Sequence, residues 1–154
     1  MEFGLARMAA SPVPVSGKLN GVPVELSPLT LGNWGTIEQY MRQQIISAAA
    51  ESTANISMER ARMIMRKAQR EAAATSITSV DARNGLFTSM STMLRIVYMS
   101  MRKSVPTLSL EEVENMVGTD VEALMKMIQV IFNISFPGVD DSKNLNPGRA
   151  AEAI

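Results

Sequence analysis

Cysteine and histidine are both absent from the 154 residues. Without cysteine the chain forms no disulfide and offers no thiol nucleophile. Without histidine it lacks the usual general base near neutral pH and the commonest metal ligand. Zinc and thiol chemistry are excluded; carboxylate or Ser/Lys catalysis stays open in principle. An excess of charge is missing too, because fifteen basic and fifteen acidic residues balance to zero. No global field draws the chain to nucleic acid or to an anionic membrane, and neither is expected as a partner. A near-neutral chain is, however, less protected against self-association. Aromatics make up only 5% of residues, with one tryptophan. No stretch approaches the roughly 18 uninterrupted apolar residues of a membrane span. The opening Met1–Ser16 has no basic start followed by an apolar run, so no secretory signal is expected.

Methionine is what the chain has in quantity, thirteen in all. An unbranched thioether side chain fills irregular cores and also suits adaptable binding faces. Both readings stand, and most of the methionines fall on helical stripes. The densest is Gly85–Met101, where Leu86, Met90, Met93, Leu94, Val97, Tyr98 and Met101 step by threes and fours. That spacing predicts a broad amphipathic helix at the centre of a helical domain, capped by Asp81 or Asn84.

The remaining elements follow from their boundaries. Residues 1–16 contain Pro12 and Pro14 and read as a flexible arm, with docking on a neighbouring subunit as the alternative. Asn20-Gly21 lies between short apolar runs and predicts a hairpin or a pair of extended segments over 17–26, with Pro23 limiting the second strand. Thr30 or Asn33 caps a first helix over 31–50, whose inner stripe is Trp34, Ile37, Met41, Ile45 and Ala48. Trp34 is expected to anchor the core. Glu38 and Arg42 read as an i, i+4 pair on the outer face. Ser57 caps a second helix over 58–74, where Arg62, Arg66 and Arg70 share a face. That face reads as solvated surface, or as a holder of phosphates or an acidic partner. Ile77 and Val80 are inward anchors of the connector.

Pro106 ends the central helix. Ser109 and Glu112 form a capping box for a short helix through Met116, with Gly118 just past its end. Thr119 and Glu122 form a second box for a last helix over 120–134, with Val121, Leu124, Met125, Ile128, Ile131 and Phe132 inward. The expected fold is mainly α: a compact domain of about five helices over 17–136 with a small N-terminal hairpin, and a polar, flexible tail over 137–154.

No phosphate loop, nucleophile elbow or calcium loop occurs. Glu111, Glu112 and Glu114 sit where acids complement a helix dipole, which explains them without catalysis. Two blocks nevertheless resemble a known family. PLTLGNWGTIEQYM (Pro28–Met41) and MLRIVYMSMRKSVPTLSLEEVENMV (Met93–Val117) are similar to the tail assembly chaperones of tailed bacteriophages. In the second block Arg102, Lys103, Pro106, Leu108, Ser109, Leu110, Glu111, Glu112 and Val113 match the family pattern. The resemblance runs from about Gly17 to Phe136.

It implies a non-enzymatic protein that coats the long helical tape-measure protein during tail building, in the host cytoplasm, and is absent from the finished tail. It also implies a longer frameshifted form that differs after Pro137. No cofactor and no metal are expected; partners are the tape measure or other phage structural proteins, with homo-oligomers also open. Grooves for an apolar helix need adaptable side chains, so Met90, Met93, Met99, Met101, Met125 and Met127 are the candidate partner-binding residues. Of these Met99 and Met127 lie partly off their stripes and are expected to be the exposed ones. The alternative function is a virion component such as a head–tail connector subunit.

Overall fold

Two strands and five helices occur in the computed structural model, which describes residues 13–77 and 89–136. In chain order they are β1 (Val15–Leu19), β2 (Val22–Leu26), α1 (Leu31–Ser52), α2 (Met58–Ala74), α3 (Met90–Met101), α4 (Leu110–Val117) and α5 (Val121–Ser135). The expected arm 1–16 and tail 137–154, with Val80, Asp81, Asn84 and Leu86, lie outside these residues except at one edge. Val13 to Ser16 are described, and Val15 and Ser16 already belong to β1.

The hairpin forms where the sequence places it. Asn20 and Gly21 both have positive φ, 49° and 80°, as a two-residue hairpin turn requires. The antiparallel register sets Leu19 opposite Val22, Gly17 opposite Val24 and Val15 opposite Leu26. These six share one face, and Leu19, Val24 and Leu26 on it are buried. A lone hairpin is marginal, and this one leans on α3 and α5. Asn20 Nδ2 also donates to the Met116 carbonyl at 2.8 Å, closing the turn onto the end of α4.

The core lies between α3, α4, α5, the hairpin and the first turns of α1. Ile37, Ile96, Val97, Val113, Leu124, Ile128 and Ile131 are no more than 1% exposed. Trp34 anchors this core as expected, in an aromatic cluster with Phe132 and Phe136 at centroid distances of 5.5 and 5.6 Å. Its indole N–H is buried without an acceptor among the described residues. Across the top, the buried Ser100 hydroxyl donates to the Ser27 carbonyl at 2.7 Å, and Lys103 Nζ donates to the Pro28 carbonyl. Arg95 stacks on Tyr40, 4.1 Å from the ring centre, tying α3 to α1.

Caps fix the helix starts. Thr30 and Asn33 act together in a capping box at α1, so both candidate caps are used. Ser57 caps α2, and Ser109 with Glu112 forms the expected box at α4. Gly118 ends α4 at φ 57°. Two caps differ from expectation. Helix α3 is capped by Ser89. Helix α5 is capped by Asp120 rather than Thr119; its carboxylate accepts from Ala123 N at 3.0 Å.

Two inward stripes are also rotated. On α3 the buried positions are Thr92, Met93, Ile96, Val97, Ser100 and Met101, while Leu94 and Tyr98 are half-buried and Met90 is exposed. Thr92 and Ser100 tolerate burial because their hydroxyls are bonded, to Ser89 Oγ and to the Ser27 carbonyl. On α5 the stripe is Leu124, Met127, Ile128 and Ile131; Val121 and Met125 face out.

Candidate functional site

Helix α1 is 22 residues long, about 33 Å, and only its first turns reach the core. Trp34 and Ile37 are its buried residues. Past Met41 it leaves the core behind, and α2 returns alongside it. Helix α2 packs principally on α1, and its only buried residues are Ala68 and Ala72. The pair therefore projects as a helical hairpin.

A polar clamp fixes the base of this hairpin. Arg42 Nη2 meets Glu38 Oε1 at 2.8 Å, and the same guanidinium donates from Nε and Nη2 to the Thr75 carbonyl at 3.1 and 2.9 Å. Glu38 Oε2 accepts from Ile77 N at 3.2 Å, and Ile77 is buried as expected. The Glu38–Arg42 pair is thus no outer-face ornament: it is half-buried and holds the chain that leaves α2 against α1. Charge-assisted bonds to a backbone carbonyl that would otherwise lose water make such a clamp worth more than an exposed pair.

Beyond the clamp, the seam between the helices is open along one side. Ile45, Ala48 and Ala49 of α1 and Ile64, Lys67, Ala68 and Glu71 of α2 line a groove of about 330 Å³. Its floor is alanine, so a further helix could approach the backbones closely. Ile45 and Ile64 are half-buried at its sides. Lys67 and Glu71, 3.8 Å apart, supply a charge of each sign at the rim. The arrangement offers apolar contact and two orienting charges.

The methionines expected to meet a partner are divided by the fold. Met93, Met101 and Met127 come together in the core cluster, and Met99 packs against its edge. Met127 is buried because the α5 stripe is rotated, which corrects its expected exposure. Met90 and Met125, at 45% and 39% exposure, stand outside the cluster. Sequence reasoning missed the groove itself. Its signal was the pairing of small residues, Ala48 and Ala49 on α1 with Ala68 on α2, each beside an isoleucine, Ile45 and Ile64.

A second groove, about 220 Å³, runs between the hairpin and α5, from Val15, Leu19 and Leu26 to Ala123, Met127 and Val130. Lys126 at its edge pairs with Glu122 at 2.8 Å. The hydrogen bond to Glu122, and then its negative charge, raise the Lys126 pKa above the ordinary lysine value. Among the described residues no group of acids is placed to hold a metal ion, and no helix is long and apolar enough to cross a membrane. Comparison of the chain with protein-family models, curated proteins and solved structures finds no match in any of the three.

Proposed function

We propose that this chain is a non-enzymatic assembly chaperone of a phage tail, which holds helical segments of the tape-measure protein in the host cytoplasm until the tail is built. The resemblance of Pro28–Met41 and Met93–Val117 to tail assembly chaperones suggests the role. The observation that carries it is the open seam of the α1–α2 hairpin. Two helices that, among the described residues, bury only Ala68 and Ala72 of α2 along their seam are an unfinished bundle. An amphipathic helix laid along Ile45, Ala48 and Ile64 completes it. A long helical client presents many such segments, and a shallow alanine floor with flexible rims accepts them in varied registers.

Co-expression with the tape-measure protein of the same genome, followed by size exclusion, tests this reading. Co-elution is expected, along with absence of the chain from purified virions. Ala48→Glu places a carboxylate on the groove's alanine floor at an exposed position, so it should abolish co-elution and leave the helical circular dichroism intact. Presence in virions at fixed stoichiometry would overturn the reading and favour a connector subunit.

A further inference from the structure

The face of α2 that points away from α1 is charged in a way the fold does not use. Helix α2 carries five cations, Arg60, Arg62, Arg66, Lys67 and Arg70, against two carboxylates. At 3.6 residues per turn, Arg62, Arg66 and Arg70 form a stripe roughly opposite Ala68, spanning about 12 Å. Met63 lies beside them at 67% exposure. Among the described residues none of the three arginines has a side-chain partner, and of the cations on this helix Lys67 is paired, with Glu71.

A surface of opposite sign stands on different elements. From Leu110 to Lys126 there are five carboxylates, Glu111, Glu112, Glu114, Asp120 and Glu122, against one cation. Glu112 and Asp120 cap their helices and Glu122 pairs with Lys126. Glu111 and Glu114 are exposed and form no ion pair among the described residues. Val121 and Met125, exposed on the adjoining turns of α5, supply apolar area as Met63 does on α2.

The two surfaces do not meet within one chain. Every ion pair among the described residues joins positions i and i+4 of a single helix. Helix α2 packs on α1, whereas α4 packs on α3 and α5.

We propose that the outer face of α2 docks on the acidic α4–α5 surface of a second copy of this chain. Charge complementarity identifies the occupant. A nucleic acid would engage the arginines but leave the acidic surface idle and facing a polyanion, and the chain as a whole carries no net charge. A second copy uses both surfaces at once. The contact is head-to-tail, so one copy of a pair retains a free acidic face and the other a free basic face. Association therefore continues into a ring or an open chain instead of stopping at a symmetric dimer. The docking face is opposite the alanine groove and does not occupy it, so self-association leaves the groove open.

Sedimentation of the full chain alone tests the proposal. Mass should grow with concentration at about 0.05 M salt and fall to monomer near 1 M, where exposed charges are screened within ~3 Å. Arg62→Glu with Arg66→Glu, or Glu111→Arg with Glu114→Arg, should each weaken association at least about tenfold, because like charges then face each other. All four changes in one chain restore complementarity at unchanged net charge and should restore association. A wild-type chain that stays monomeric at low salt overturns the proposal. So does association that survives either pair of reversals, or a four-fold variant, folded by circular dichroism, that remains monomeric. Salt-dependent binding of a duplex DNA probe, lost on Arg62→Glu with Arg66→Glu and with no self-association, assigns the arginine stripe to nucleic acid instead.

Discussion

The two ends of α1 live in different surroundings. Trp34 and Ile37 sit in an aromatic and aliphatic core closed by α3, α5 and the hairpin. Three turns later Ile45, Ala48 and Ala49 have α2 on one side and an open groove on the other. The first region buries Ile128, Ile131 and Val113 completely; the second buries nothing larger than alanine. The difference separates a part that packs against itself from a part that leaves an apolar seam open. Each helix of the core has several neighbours, whereas α2 has α1 and the Arg42 clamp.

The largest expected effect tests that contrast directly. Ile128→Ala should cost about 2–5 kcal/mol, since it hollows a fully buried site. Ile64→Ala, in the half-buried seam, should cost roughly 1 kcal/mol. Urea unfolding measures both, and equal losses would break the contrast. Arg42→Ala should come next, at about 1–2 kcal/mol, because it removes the bonds to Thr75 and Glu38. Its effect should be local: amide exchange in α2 should quicken while that in α3 and α5 stays slow. Smallest is the cap of α5. Asp120→Ala should lose about 1 kcal/mol and Thr119→Ala only a few tenths, which separates the observed cap from its neighbour.

Much of the architecture was legible because it rests on local chemistry. Asn20-Gly21, Ser57, the Ser109–Glu112 box and Gly118 each solve a backbone problem within four residues, and each does so in the structure. The misreadings share another cause. Thr92 and Ser100 look polar along the sequence, yet their hydroxyls find acceptors, and for Ser100 the acceptor lies 73 residues away. Crediting them with burial rotates the α3 stripe toward Ile96 and leaves Leu94 at its edge. Glu38–Arg42 looked like a surface pair because its third partner, Thr75, is 33 residues distant.

The candidate site was the least legible part. Methionine drew attention, but Met93, Met101 and Met127 serve the core. The alanines that floor the groove read as ordinary helix interior. Only the absence, among the described residues, of a third helix over the seam gives them another meaning.

Amide hydrogen exchange on the chain with and without the tape-measure protein tests the central claim most directly. Slowed exchange confined to residues 45–71 is expected, with α3 and α5 unchanged because they are already protected by the core. Slowed exchange in α3 or α5 with none in α1 and α2 would contradict it, and would move the binding surface to the exposed side of α3, with Met90, or of α5, with Met125.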